Sequence, residues 1–257
     1  MVKIIFLDFD QTLYSHITNC VPESAAKAVN AAHDKGIKIF LCSGRSLCEM
    51  DAFDTSMVKI DGMIANNGQI GYDKDNNIIF DYPINGRLKE IIINKFNKHT
   101  VPMILNTKNY TMCNYINDDL IAVQNEINSP LPQVKAYENE DIYMASAFYT
   151  DEKDWDDLLA IKDMANITYW HDGAVDIVPN DTSKAIGIDR ILKYYNIDQK
   201  DSMGIGDSEN DIEMLKCCGI SVAVGKAMDS VKEVADYITT DIDEDGILNA
   251  LKHYEII

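Results

Sequence analysis

The chain has 257 residues, 46% of them hydrophobic and 25% charged, with a formal net charge of −19. This is the composition of a globular protein long enough to bury a sizeable core, in one large domain or two modest ones. Such an acidic surface repels nucleic acid and anionic membranes, and we expect neither as a partner. It also repels an anionic substrate, so a phosphate site needs a local cation. We expect a cytoplasmic protein, because no apolar stretch approaches the ~18–20 residues of a membrane helix, the N-terminus offers no signal peptide, and none of the six cysteines lies in a C-x-x-C pair.

Strands and helices alternate in the first part of the chain. The apolar run 3–9 predicts a buried strand, and 22–35 predicts a helix, with Pro22 at its first position and Gly36 at its stop. Further buried strands are predicted at 37–42 and 62–65. This order of elements implies parallel pairing.

The middle of the chain mixes its elements differently. Predicted helices cover 88–97 and 155–164, predicted strands cover 103–106, 143–149, 167–171 and 174–178, and a polar loop covers 128–140. Trp170 and the tyrosines of these strands are predicted as core, and His171 at a turn is either solvated or in contact with substrate. We predict that residues 83–179 form a second α/β domain, inserted into a first domain that residues 1–82 and 180–257 build together.

Strands and helices alternate again near the C-terminus. Helices are predicted at 183–195, 212–218, 231–235 and 247–253, and strands at 202–206, 220–224 and 237–240. The two ends of the chain therefore share one architecture.

Two acidic segments follow predicted strands. Asp8 and Asp10 lie two residues apart, so both carboxylates leave the sheet on one side, at the carboxyl edge where open α/β sheets bind ligands. Asp207 ends the strand at 202–206, and Asp211 follows one helical turn later. By spacing alone, the first pair fits a capped turn equally well, and the second set fits a helix N-terminus with acidic first-turn residues.

Two further groups could serve a phosphate. Ser43 and Gly44, followed by Arg45, offer a hydroxyl and backbone N–H groups at another strand end, although a generic turn explains them too. Lys184 opens a helix, where the dipole disfavours a cation, so either a charged partner or solvent holds it. Several carboxylates and a phosphate carry more negative charge than one lysine balances. The set therefore predicts Mg²⁺ and two-step covalent catalysis.

These motifs, in this order, resemble the haloacid dehalogenase superfamily, and most closely its Cof-type (class IIB) phosphatases. The resemblance rests on DFDQTL, LCSGR, Lys184 after the insert, and GDSENDIEML, with core segments at about 1–82 and 180–257. It implies a Rossmann-like parallel-sheet core with an inserted α/β cap domain (C2B-type) over its strand ends. It also implies a small phosphorylated metabolite as substrate.

The resemblance assigns a role to each motif residue. Asp8 is the nucleophile that becomes an aspartyl phosphate, Asp10 the general acid and base, and Lys184 the group that orients Asp8 and neutralises charge. Phosphoryl and substrate binding fall to Ser43, Gly44, Lys184 and Asn210. Mg²⁺ binding falls to Asp8, to Asp207 and to the main-chain carbonyl of Asp10. Asp211 supports the metal from behind, and Thr12 supports the loop. Gln11 and Ala185 depart from the family, which has glycine at the first position and often at the second, so the backbone path at Gln11 is in question.

Three other functions compete with hydrolysis of a phosphate monoester. A phosphotransferase or mutase would share every core residue and differ in the cap. A signalling receiver also uses Asp, Ser or Thr, Lys and Mg²⁺, but it is about half as long and has no D-x-D or insert. A catalytically silent binding protein is disfavoured because no motif residue is missing.

Overall fold

The computed structural model describes residues 1–149 and 160–257, and it confirms the predicted α/β class. The strands are β1 Ile4–Leu7, β2 Lys38–Cys42, β3 Gly62–Ala65, β4 Ile70–Asp73, β5 Ile78–Asp81, β6 Met103–Asn106, β7 Thr111–Cys113, β8 Gln133–Val134, β9 Met144–Phe148, β10 Ala165–His171, β11 Ala174–Pro179, β12 Ser202–Gly206, β13 Ile220–Ala223 and β14 Tyr237–Ile238. The helices are α1 Glu23–Asp34, α2 Leu47–Met50, α3 Gly86–Lys98, α4 Asp118–Glu126, α5 Lys184–Tyr195, α6 Ile212–Cys217, α7 Asp229–Lys232 and α8 Gly246–His253, with 3₁₀ turns at Asn66–Gly68, Gln199–Asp201, Glu209–Asp211 and Ile242–Glu244.

The larger sheet has the strand order β14-β13-β12-β1-β2-β3-β4-β5. Neighbours from β14 to β3 pair in parallel, and β4 and β5 add an antiparallel edge. β1 lies between β12 and β2, so the first strand of the chain pairs with one from its last quarter. The carboxyl ends of the central strands therefore meet at one edge of the sheet.

Helices cover both faces of β1. Ile5 and Leu7 belong to a buried cluster with α1 and α8, whereas Ile4 and Phe6 belong to a cluster with α5 and α6. All four residues are buried, which explains why this strand is an uninterrupted apolar run in the sequence.

The second sheet has the order β10-β11-β9-β6-β7-β8, antiparallel except for β7 with β8. Its strands alternate between two faces. Met103 and Leu105 of β6 pack in a cluster with α3, while Ile104 packs in another cluster with α4. Helix α3 supplies Phe96 and other apolar residues at helical spacing, so it covers one face of this sheet.

Most predicted elements occur within one or two residues of their expected bounds, and β3, β6 and β12 match theirs. The predicted helix 231–235 was shifted, because α7 is Asp229–Lys232, and the last strand is only Tyr237–Ile238. Of the predicted helix 155–164, residues 155–159 lie outside the described residues and 160–164 form turns. Strands β4, β5 and β7 and helices α2 and α4 were not predicted, and β8 lies within the predicted loop 128–140.

The two sheets take their strands from different parts of the chain. Strands β1–β5 and β12–β14 form one sheet, and β6–β11 form the other. The boundaries at 82/83 and 179/180 stay a prediction. Among the described residues, no helix combines the length and the hydropathy needed to cross a membrane.

Candidate active site

Two aspartates leave the central strands at the same edge of the larger sheet. Asp8 follows β1, and Asp207 follows β12, its parallel neighbour. The Asp8 N–H donates to the carbonyl of Ile205 at 2.9 Å, which extends the pairing up to the acidic residue. Parallel pairing thus brings together two carboxylates that are 199 positions apart by their residue numbers.

Lys184 is a fully buried cation of the site. It begins α5, which Ser183 caps with its hydroxyl, and its side chain has no exposed surface. Its ammonium donates to Asp8 Oδ1 and to Asp211 Oδ1, both at 2.6 Å. Burial acts to lower the pKa of Lys184, but the charges of Asp211 and Asp8 raise it above its usual range, so the ammonium stays charged.

Asp8, Asp207 and Asp211 form an acidic cluster. One oxygen from each lies within 4.8 Å of the others. Burial, and then the charge of Asp211, raises the pKa of Asp8 well above its usual value and that of Asp207 to about 7. Three carboxylates against one lysine leave negative charge uncompensated.

The cluster fits a hard divalent cation, which takes oxygen ligands. Asp211 is already engaged, since Oδ1 accepts from Lys184 and Oδ2 accepts from the N–H groups of Asp207 and Ser208. Thr12 donates to Asp207 Oδ1 at 2.8 Å and orients that carboxylate. Asp8 and Asp207 are therefore the side chains best placed as ligands, with Asp211 supporting them from behind.

Asp10 lines a cavity together with Asp8 and Asp207, and two basic groups contact its carboxylate. Arg45 Nε donates to both carboxylate oxygens, at 3.1 and 2.9 Å, and Arg45 Nη2 donates to Oδ1 at 2.7 Å. His16 Nε2 lies 2.7 Å from Asp10 Oδ1. Burial acts to raise the pKa of Asp10, but Arg45 and His16 together lower it to about 2. In this geometry Asp10 is an anion, and its lowered pKa makes it a weak proton acceptor for as long as Arg45 holds it.

Ser43 and Gly44 lie on the loop that follows β2. Ser43 is buried, and its hydroxyl accepts from the Arg45 N–H at 3.1 Å. A Cβ on Gly44 would meet the side chain of Asn67 at 3.3 Å and that of Asp176 at 3.4 Å, so the core and the second sheet approach closely here. Of the two residues, Gly44 lines the cavity.

Asn210 also lines the cavity, between two partners. Its Nδ2 donates to Asn67 Oδ1 at 3.1 Å, and its Oδ1 accepts from Ser208 at 2.8 Å. Asn67 has a left-handed backbone with φ of 52°, a conformation that asparagine tolerates better than most residues. The sequence did not single out Asn67.

Gln11 has a φ of 59°, in the left-handed region that favours glycine. Its N–H donates to the carbonyl of Tyr14 at 2.9 Å and closes the turn after Asp10. The backbone at this position therefore takes the path that a glycine would favour, at a cost of roughly 1 kcal/mol for a side chain there. This answers the question raised by the departure from the family.

The cavity lies between the two sheets and has a volume of about 340 Å³. The core lines it with Asp8, Asp10, Gln11, His16, Gly44, Arg45, Glu49, Asp207, Ser208 and Asn210, and the second sheet with its helix lines it with Ile104, Asn106, Gln124, Glu126, Ile127, Met144, Ser146, Phe148, Trp170 and Asp176. Trp170 and His171, adjacent in the sequence, lie differently relative to the cavity. Trp170, predicted as core, packs beside Phe148 but also lines the cavity and donates to Asp176 Oδ1 at 2.9 Å. His171 pairs with Glu126 at 3.0 Å and does not line this cavity.

Comparisons with known proteins match this arrangement over the whole chain. A family model described as haloacid dehalogenase-like hydrolase matches residues 5–251. The solved structure of BT4131, described as a subclass IIB sugar phosphatase, is 31% identical with a TM-score of 0.87, and the match covers all of both chains. BT1666 of Bacteroides thetaiotaomicron, analysed among phosphatases of the superfamily, is 29% identical with a TM-score of 0.89, over 100% of this chain and 96% of its own.

A curated relative covers the chain just as fully. YkrA of Bacillus subtilis is 28% identical over 259 residues, which are 99% of this chain and 98% of that protein. The sequence relationship, the fold and the cap sheet all agree with the resemblance that the motifs carry. The chain belongs to the haloacid dehalogenase-like hydrolases, with the capped fold of their subclass IIB phosphatases.

Proposed function

We propose that this hydrolase is a Mg²⁺-dependent phosphatase that cleaves a small phosphate monoester through an aspartyl phosphate on Asp8. The observation that carries the proposal is the contact of Asp8 with Lys184, beside Asp207 and at the floor of the cavity. Lys184 holds one oxygen of Asp8 and so orients the carboxylate. The names and descriptions of the similar proteins support the same reaction class.

The first step transfers the phosphoryl group. An oxygen of Asp8 attacks phosphorus, the bond from phosphorus to the ester oxygen breaks, and the departing oxygen takes a proton from Asp10. Ser43, the backbone at Gly44 and Lys184 hold the phosphoryl oxygens, while Asn210 lies beside the leaving group. When bound by Asp8, Asp207 and the carbonyl of Asp10, Mg²⁺ would neutralise charge on the phosphoryl group.

The second step frees Asp8. Water attacks the phosphorus of the aspartyl phosphate, Asp10 accepts a proton from that water, and the bond between Asp8 and phosphorus breaks. Arg45 holds Asp10 as an anion, which is the protonation state that this step needs, and a looser contact with Arg45 would make Asp10 a stronger base. In the first step, a phosphate dianion near Arg45 would compete for the guanidinium and allow the pKa of Asp10 to rise.

Replacement of Asp8 tests the nucleophile. We expect Asp8→Asn to abolish release of inorganic phosphate from p-nitrophenyl phosphate while the circular dichroism spectrum stays that of the wild type, because an amide has nearly the same shape and no anionic oxygen. Asp75→Asn, a change at an exposed aspartate, is the control and should keep full activity. A folded Asp8→Asn protein that still turns over would overturn the assignment.

A further inference from the structure

The cap side of the cavity is built by one face of the second sheet. On β6, β9 and β11, the residues that line the cavity alternate with residues that pack under α3. The cavity-lining polar positions are Asn106 on β6, Ser146 on β9 and Asp176 on β11. Glu49, at the end of the capping box of α2, faces them from the core.

Asn106 has a buried oxygen that no described residue satisfies. Its Nδ2 donates to Asn66 Oδ1 at 2.9 Å and to Glu49 Oε2 at 3.3 Å. Glu49 Oε2 is a carboxylate oxygen, which only accepts, so turning the Asn106 amide around would place oxygen against oxygen. Oδ1 is therefore the free end, and it lacks a hydrogen-bond donor among the described residues. A buried acceptor without a partner is unfavourable, and a donor on a ligand would relieve it.

Two carboxylates that line the same cavity as Asn106, Asp176 and Glu49, also have acceptor capacity left. Asp176 Oδ1 accepts from Ser146 at 2.7 Å and from Trp170, but Oδ2 has only a long contact of 3.4 Å with Asn67. Glu49 Oε2 accepts from the N–H and hydroxyl of Ser46, at 2.8 and 2.6 Å, whereas Oε1 accepts from no described residue. Ionised carboxylates can only accept, so Asn106, Asp176 and Glu49 together present three acceptor oxygens that lack donors.

The described part of the cap side of the cavity is acidic. Among the described residues that line it, those contributed by the second sheet and α4 include Glu126 and Asp176 but no lysine or arginine. The cations on the core side are occupied, Arg45 by Asp10 and Lys184 by Asp8 and Asp211. A second anionic group on the substrate would thus face carboxylates without a counter-charge.

We propose that Asn106, Glu49 and Asp176 are specificity-determining residues, which select a leaving group rich in hydroxyl or ammonium donors and reject one that carries a second anion. The inference rests on the proposed phosphatase function and names the chemistry of its leaving group. A site whose buried acceptors need donors discriminates strongly against a ligand that lacks them, because those acceptors then stay unpaired.

A matched pair of substrates tests the charge preference. Sorbitol 6-phosphate and 6-phosphogluconate share an open six-carbon chain, and they differ at one end by a hydroxymethyl group against a carboxylate. We expect kcat/KM of the wild type to be at least about 100-fold higher for sorbitol 6-phosphate than for 6-phosphogluconate. Glu49→Gln or Asp176→Asn removes one negative charge, so each should lower the ratio of the two kcat/KM values about tenfold. Equal turnover of the two esters by the wild type would overturn the proposal.

A second ratio tests Asn106. p-Nitrophenyl phosphate has no donor on its leaving group, so it serves as the reference. We expect Asn106→Leu to lower the ratio of kcat/KM for sorbitol 6-phosphate to that for p-nitrophenyl phosphate about tenfold or more, and Asn97→Leu, at an exposed cap position, to keep it. An unchanged ratio in folded Asn106→Leu would refute its role. Failure to release phosphate from any of the three esters would overturn the phosphatase proposal as well, whereas turnover without discrimination overturns this inference alone.

Discussion

Arg45 donates three hydrogen bonds of 2.7 to 3.1 Å to the Asp10 carboxylate, and the same guanidinium also contacts the segment that follows α4. Its Nη1 donates to the Ser129 hydroxyl at 2.6 Å, and its Nη2 donates to the carbonyl of Ile127 at 3.1 Å. Arg45 therefore keeps the proposed acid/base ionised, and it also connects the loop after β2 to the segment that follows α4. Its removal should change both catalysis and the position of the cap.

We expect Arg45→Gln to raise the pKa of Asp10, because burial then acts without the guanidinium that opposes it. The pKa of Asp10, read from the ¹³C chemical shift of its carboxyl carbon against pH, should therefore move upward by about one unit or more. Arg87→Gln, at an exposed arginine, is the matched control. An unchanged pKa of Asp10 in Arg45→Gln would contradict the role given to Arg45.

Lys184→Met should remove activity and also destabilise the protein. It would leave Asp8 and Asp211 buried without their cation, at a cost of about 3–5 kcal/mol in the free energy of unfolding. Adding Asp211→Asn should restore part of that stability but none of the turnover. Denaturant unfolding measures the first effect and phosphate release the second.

Lys193→Met provides the comparison for Lys184, since Lys193 lies on the same helix and its pair with Asp189 is exposed. Its effect on stability should stay within about 0.5 kcal/mol. If the two lysine variants were equally stable, the buried pairs of Lys184 would not hold the site together.

The pKa of Asp176 predicts a pH-dependent stability. Burial raises it to about 6, so the free energy that this residue contributes is fully present below its unfolded pKa of 3.8 and is lost as pH rises through 6. Asn does not titrate. We therefore expect the stability of Asp176→Asn, relative to the wild type, to increase by about 2–3 kcal/mol between pH 4 and pH 7.5. Urea unfolding at the two pH values measures this, and a difference that does not vary with pH would show that Asp176 is not held in a raised-pKa state.

Mg²⁺ should stabilise the protein as well as activate it. Binding relieves the repulsion among Asp8, Asp207 and Asp211, so at about 100 times the dissociation constant it should add about 2.7 kcal/mol and raise Tm by about 5 °C or more. Asp207→Asn should abolish the shift, while Asp75→Asn keeps it. Full activity in excess chelator, or an equal shift in Asp207→Asn, would refute the assigned metal site.

Local sequence determined where the acidic groups leave the sheet. Apolar runs that end at Asp8 and Asp207 predict strands by composition alone, and parallel pairing then places their ends together. The helix start at Lys184 is equally local, because Ser183 supplies its cap. These features depend on neighbours within one turn or one strand, so they can be read from a single chain.

The other half of the cavity depended on tertiary structure. Asp176 meets Ser146 and Trp170 because β9, β10 and β11 are adjacent, and Arg45 meets Ile127 only because the cap folds over the core. Sequence periodicity shows which residues of a strand share a face, but it does not show what that face meets. The sequence by itself therefore predicted the candidate groups for phosphoryl transfer, because they lie at strand ends and at a helix start. The partners of Asp10, and the grouping of Asn106, Glu49 and Asp176 around the cavity, depend on contacts between segments far apart in the chain. Packing and charge, rather than local propensity, determine those contacts.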